Sequence, residues 1–447
     1  MADISERFNG YLKIDNDMFV YSIADNTVTL LPAESDLNKQ YESFKRACSC
    51  EAAPPEFIFG TDGHAKIAFM RSTRFYFNRL ETDYFIRFGA PLIVKALGSL
   101  SNLSWTKFHT ITFYGGNINS VLNPGIALES KSESQHTNSF LERGFKHPSD
   151  YSRSIDVMLD NKKVTLYASV YQSWSRYETG RRGAFSLGEL DASISLSFEE
   201  PQDLNSIVGY YHIILKLISI LTKRGNNSFD TFLSQTDKEG KVYQTAVCKI
   251  FDGYENYADV NSFTSIPICD IFDYLPDLIT KIHKNETEPL LALLPIDNRK
   301  TNTISMTNIQ DICTALEAAY PNQKREKDAL ITELKSEIKK TIKAFQQSHT
   351  DIDVNSETTL SNCFQHLDFT LRQKILTMYN DNKKHIDIVI QKHHLPYIDD
   401  ETVKAFVNLR NSKTHGGAFE LDKSAYICVA LLAIVYVQLF KKHRALG

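Results

Sequence analysis

The sequence predicts an α+β protein of more than one domain, with a β-rich front part, sandwich- or barrel-like, followed by an all-α helical bundle. Three observations carry this expectation. Residues 1–200 are a succession of short β-branched and aromatic runs broken by turn dipeptides. From about residue 285 apolar residues recur at helical spacing, in separate stripes joined by polar loops. At 447 residues the chain is also longer than one ordinary hydrophobic core accommodates.

The front runs are YLKIDNDMFVYSI, TVTLLPA, EFIFGTDGHAKIAFM, FHTITFYGG, KVTLYASVYQ and ASISLSFEE, with DN, DG and GG within or beside them. Short strands without intervening helical periodicity favour an antiparallel sandwich or barrel, and the pattern leaves both open. Residues 1–200 are expected to form a β-rich sensor or regulatory domain. At PQDLNSIVGYYHIILKLISILTKRGNN the period changes. Leu204, Ile207, Val208, Tyr211, Leu215 and Ile218 define a helix opened by Pro201 and closed at Gly225. With the β-like KVYQTAVCKIF after it, 201–284 is expected to complete or link the front unit.

Residues 285–447 supply five helical stripes. Ile309, Ile312, Leu316 and Tyr320 make the first, stopped by Pro321. Ile331, Leu334, Ile338, Ile342 and Phe345 make the second, with a polar loop over 346–358. Phe364, Leu367, Leu371, Ile375 and Met378 make the third, expected to end at NDN. Val403, Phe406, Val407 and Arg410 make the fourth. The fifth is AYICVALLAIVYVQLF (425–440), interrupted by Gln438 and shorter than the roughly 20 residues of a spanning helix, so it is expected to be a core or interface helix with no membrane involved.

Composition narrows the function classes. A net charge of −4 gives no global attraction to nucleic acid, so any polyanion would bind locally. Seven scattered cysteines and no apolar segment after MADISERFNG suggest a reduced, cytoplasmic protein. Cys48 and Cys50 lack a second ligand pair, with His64 the only nearby candidate, and His366, His385, His393 and His394 form no compact ligand pattern, so no metal or cofactor is expected. YQSWSRYETGRRGAF (171–185) interleaves Trp174 and Tyr177 with Arg176, Arg181 and Arg182. It reads as a hairpin tip or as a partner-sensing surface.

The stretch FVNLRNSKTHGGAFEL (406–421) concentrates the chemistry. Asp399, Asp400 and Glu401 suit a helix start, and Gly416-Gly417 a helix stop. Arg410 falls on the apolar stripe, and Asn411 and His415 are four apart and share a face. A guanidinium can grip two phosphate oxygens, an imidazole can move a proton near neutral pH, and an amide can orient the ring or a hydroxyl. Transphosphorylation of RNA needs both a base and an acid, and one histidine per chain would meet that need in a two-fold dimer. A structural arginine paired with a carboxylate, beside a histidine capping the helix, is the alternative for the same trio.

LRNSKTHGG resembles the signature of HEPN-domain ribonucleases, an arginine with a polar residue directly after it and then a histidine, late in a helical bundle with a further helix following. Residues 305–447 have that organisation. The whole chain, β-rich in front and HEPN-like behind, is similar to the ApeA type of bacterial anti-phage abortive-infection proteins. The resemblance implies Arg410 and His415 as catalytic residues and Asn411 as their polar companion. It implies metal-independent cleavage of RNA (tRNA or mRNA) at a composite homodimer site, giving a 2′,3′-cyclic phosphate and a 5′-OH, with a phage-derived trigger acting on the front domain. Lys413 lies outside the signature and could hold a substrate phosphate. The competing expectation is a non-catalytic HEPN module that binds RNA or a protein.

Overall fold

The computed structural model describes residues 7–14, 16–34, 36–49, 56–71, 76–80, 83–97, 103–124, 128–131, 142–145, 152–172, 190–251, 265–295, 306–319, 329–348, 370–414 and 423–440. The chain divides into two compact units, Met1–Lys284 with Pro295–Asn298, and Asn285–Leu294 with Arg299–Gly447. Large antiparallel sheet structure occupies the N-terminal half and helices the C-terminal part, an α+β protein.

In the first unit the strands are β1 (Arg7–Ile14), β2 (Asp17–Ala24), β3 (Thr27–Pro32), β4 (Phe57–Thr61), β5 (Lys66–Met70), β6 (Tyr76–Leu80), β7 (Asp83–Gly89) and β8 (Leu92–Ala96). They continue as β9 (Lys107–Tyr114), β10 (Leu128–Lys131), β11 (Glu142–Phe145), β12 (Arg153–Leu159), β13 (Lys162–Gln172), β14 (Leu190–Asp203), β15 (Asp230–Thr236) and β16 (Val242–Ile250). Apart from the small β10–β11 pair, the described strands form one ladder in the order β12-β13-β14-β9-β15-β16-β8-β5-β4-β1-β2-β3-β7-β6. The sequence leaves a sandwich and a barrel open; the described strands of this ladder form a single continuous sheet of 14. One core nevertheless gathers Leu12, Phe19, Tyr21, Leu30, Ile67, Phe69, Ile86, Phe88 and Ile93 with Val247 of β16. Because β7 and β16 stand far apart in the ladder, their sharing of a core means that this half of the sheet curls over its own inner face.

Alternation explains the sidedness. In β2, Phe19, Tyr21 and Ile23 are buried, while Val20, Ser22 and Ala24 face out. Turn chemistry sets the register. Asp160-Asn161 joins β12 to β13 with both residues at positive φ, 49° and 62°, the two-residue hairpin geometry that matches strand twist. Gly10 and Gly116 are required by close approach. A Cβ on Gly10 would lie 2.1 Å from the Thr61 carbonyl oxygen, and one on Gly116 (φ 48°) would lie 2.2 Å from that of Ser228.

Among the helices of this unit, α1 (Leu37–Ser49) covers part of β3 and β7, α2 (Ile118–Val121) follows β9, and α3 (Ile207–Thr222) lies against β9. Pro201 does not open α3. It sits near the end of β14, where the pairing with β9 shifts between Ser197 and Gln202, an irregularity that tolerates the missing N–H. Nor does Gly225 close the helix: Lys223 takes the left-handed conformation (φ 59°), and Asn227 braces the end by donating to the Ser219 hydroxyl and the Arg224 carbonyl. A 19-residue helical stretch, Leu204–Thr222, is long and apolar enough to cross a membrane, and most of α3 is buried inside this unit. α4 (Leu275–His283) packs on β12.

The second unit contains α5 (Glu288–Leu291), α6 (Met306–Ala319), α7 (Ala329–Ser348), α8 (Leu371–His393), α9 (Asp400–Thr414) and α10 (Ile427–Phe440). α6 packs against α8, α9 and α10, and α8 against α9 and α10. Ile309, Ile312 and Leu316 are buried as the spacing predicts, whereas Leu334 and Phe345 of α7 are exposed. α8 does not stop at Asn380-Asp381-Asn382. Asn382 is buried and its amide donates to the Met378 carbonyl at 2.6 Å, so the helix continues to bury Ile386 and Ile390. A capping box at Thr370 and Gln373 starts α8. Phe364, Leu367, Tyr320, most of the 346–358 loop and the 173–185 part of the basic-aromatic stretch lie outside the described residues.

Candidate functional site

α9 begins where the carboxylates of the sequence put it. Asp399 Oδ1 accepts from the Thr402 amide at 2.7 Å, and this bond above all holds the Asp399 carboxyl below its ordinary pKa. Arg372 at the start of α8 donates Nε–H to Asp400 Oδ1 at 2.7 Å and its terminal N–H to Asp400 Oδ2. This forked pair sets the N-termini of α8 and α9 side by side, unlike the opposed ends of a simple antiparallel hairpin.

Val403, Phe406 and Leu409 form the fully buried stripe of α9, and Val407 and Arg410 flank it half-buried. Arg410 therefore stands at the margin of the core. Its terminal N–H donates to the Asn411 side-chain oxygen at 3.3 Å, so these two candidate residues are in contact. Lys413 belongs by its backbone to the last turn of α9; its side chain, and all of His415, Gly416 and Gly417, lie outside the described residues.

The surroundings of Arg410 include Cys313, which the sequence did not single out and which in turn adjoins Cys428. Burial pushes the Cys313 thiol of α6 up to about 12, with the Arg410 charge pulling it down and Glu317 pushing it up. Cys428 of α10 is likewise raised to about 12, by burial first and then by Cys313. α9 thus bears the arginine, α6 packs against α9 and carries the neutral Cys313 thiol that feels its charge, and Cys428 of α10 adjoins Cys313. Buried thiols of this kind are not nucleophiles at neutral pH. No sequence signal could have found them, because residues about a hundred positions apart meet only through helix packing.

The set Arg410–Asn411, a fixed cation with an adjacent amide at a half-open helix end, can bind an oxyanion and orient a hydroxyl or ring beside it. Among the described residues no three His, Cys, Asp or Glu side chains cluster as metal ligands. His64 belongs to a turn in which its amide and that of Ala65 donate to Asp62 Oδ1. Cys50 and His366 lie outside the described residues, as does the Cys48 side chain, and His385, His393 and His394 are exposed on or just after α8. Comparison with known proteins finds no matching family model, no matching curated protein and no matching solved structure.

Proposed function

We propose that the protein is a cytoplasmic, metal-independent endoribonuclease of the HEPN type, built into a toxin-like anti-phage abortive-infection system of the ApeA kind. The observation that carries this reading is the half-buried Arg410, hydrogen-bonded to Asn411 near the end of α9, within a bundle in which another helix follows the motif. His415, four residues beyond Asn411, completes the set.

In the proposed reaction Arg410 holds the non-bridging oxygens of the scissile phosphate and stabilises the charge that grows on them. One His415 takes the proton of the 2′-OH as its oxygen attacks phosphorus. The His415 of a second copy gives a proton to the departing 5′-oxygen. The P–O5′ bond breaks, leaving a 2′,3′-cyclic phosphate and a 5′-OH. Asn411 orients the imidazole, and Lys413 is assigned to a flanking phosphate. The first unit is assigned the sensing of a phage-derived trigger.

Incubation of purified protein with total RNA in EDTA, followed by end-group analysis, tests this. Wild type is expected to create cyclic-phosphate and 5′-OH ends, and Arg410→Ala or His415→Ala to reduce them by at least a hundredfold while keeping the helical circular dichroism. RNA retained without new ends, in the presence of an infected-cell extract as source of trigger, would support the non-catalytic binding module in its place.

A further inference from the structure

The first unit carries an exposed face that the nuclease reading leaves unused. Register fixes which residues share it. Leu31 is beside Val20, Val20 beside Tyr11, and Tyr11 beside Thr61, which is beside Lys66, across five strands β3, β2, β1, β4 and β5. A second row runs from Tyr76 through Arg87, Thr29 and Ser22 to Asn9. Period-two alternation adds Lys13 and Met18 to the face, and Phe59, two residues before Thr61. The opposite side of β1–β3 is the buried core of Leu12, Phe19, Tyr21 and Leu30, so these residues are on the outer face of the curled sheet.

Three aromatic rings on it are open to solvent: Tyr11 at 53%, Phe59 at 48% and Tyr76 at 65% exposure. Phe59 is held edge-on by Trp105, ring centroids 5.8 Å apart, which fixes its plane without covering it. Three cations lie among them. Lys13 and Lys66 are exposed, and Arg87 is exposed with its guanidinium 4.7 Å from the Phe85 ring centre. No described strand position of the two rows, nor Lys13, Met18 or Phe59, is a carboxylate, although acidic residues outnumber basic ones in the chain, 54 to 50. The nearest carboxylates in sequence, Asp17 beside Met18 and Asp62 beside Thr61, are paired elsewhere, with Arg46 and Lys95, and Asp83 at the far end of β7 is the one acidic strand position that shares the alternation of Arg87 on that strand.

From this face we infer a binding platform for single-stranded RNA. Exposed rings on a sheet stack bases without regard to sequence, and cations between them hold the phosphates. Tyr76 and Phe59 are five strand steps apart, about 24 Å at ~4.8 Å per step, a footprint suited to a few nucleotides. Val20, Leu31 and Met18 fill the space between the rings with apolar surface on which ribose can rest. A protein partner with a carboxylate-rich rim is the competing occupant. The inference extends the RNA reading of the second unit, and it is tested by binding alone so that the two can fail separately.

The test uses the full chain carrying His415→Ala, titrated against a fluorescein-labelled oligouridylate and followed by anisotropy. Tyr11→Ala, Phe59→Ala and Tyr76→Ala are each expected to weaken binding about fivefold or more, the size of one lost base stack. Tyr11→Phe, which keeps the ring, is expected to bind like the parent. Lys13→Gln and Arg87→Gln are each expected to lower the slope of log affinity against log salt by about 0.7. All five positions are on the surface, and unchanged thermal melts confirm that the variants fold. Affinity within twofold of the parent for all three alanine variants would overturn the platform and leave the face to a protein, as would absence of oligouridylate binding by the parent at micromolar concentration. Neither result bears on whether Arg410 and His415 cut RNA.

Discussion

Asp62 shows how a single carboxylate can be fixed inside a β-unit. Burial opposes its charge, but Lys95 Nζ at 2.8 Å and the amides of His64 and Ala65 outweigh burial, and the carboxyl is brought down to about 2. A depressed carboxyl contributes stability above the unfolded value of about 4 and loses it as pH falls toward 2. Allowing for screening near the surface, Asp62→Asn is expected to cost about 1–2 kcal/mol at pH 7, with the gap to wild type closing between pH 4 and pH 2. Urea melts at pH 7 and at pH 3 measure it, and an equal gap at both would show that the charge is not what matters. Gly116→Ala is expected to be harsher, about 3 kcal/mol or more, because it adds a methyl against the Ser228 carbonyl at a left-handed φ. The same melts report this. Dipeptides such as Asp160-Asn161 and Asp62-Gly63 were legible in the sequence because these residues alone bring the turn conformation with them. The ion pair of Asp62 with Lys95 was not, since the two meet only when β5 and β8 come into register.

At the scale of elements, α9 is the one on which the functional reading depends, and its start rests on one cap. Asp399→Ala removes the acceptor for the Thr402 amide and is expected to cost about 1 kcal/mol, with Asp399→Asn costing much less. Hydrogen exchange should show the loss as faster exchange in the first turn of α9, while α3 in the other unit is unchanged. The apolar spacing that marked Val403 and Phe406, and set Arg410 at their side, was readable because helical period and burial coincide there. Two of the boundaries that differ from expectation have clear physical reasons. Pro201 has the chemistry of a helix opener, but a bulged strand end tolerates it equally well. Asn380-Asp381-Asn382 has the composition of a stop, yet Asn382 turns its amide onto a carbonyl of its own helix and is buried there. The α7 stripe of Leu334, Ile338, Ile342 and Phe345 has the right period and is still largely exposed or half-buried, which periodicity by itself does not report.

For the molecule as a whole, two compact units each with its own core imply two unfolding events. Phe69 is fully buried in the first core, so Phe69→Ala is expected to cost about 3–5 kcal/mol there. Calorimetry should record one transition moved down by several degrees and the other in place; a single transition shifted bodily would mean that the units melt together. The α+β character could be read in advance because strand and helix periods occupy different halves of the chain. The single ladder could not, because its neighbours are set by pairings such as β8 with β16 and β9 with β14 that no local pattern announces. That wiring has a consequence during synthesis. β8 ends at Ala96 and its partner β16 begins at Val242, so a ribosome must deliver well over a hundred further residues before the middle of the sheet can close. Until then the nascent chain carries a raw hydrogen-bonding edge at β8, and at β9 until β14 and β15 arrive, which makes this stretch of translation the time when the protein most needs a chaperone's company.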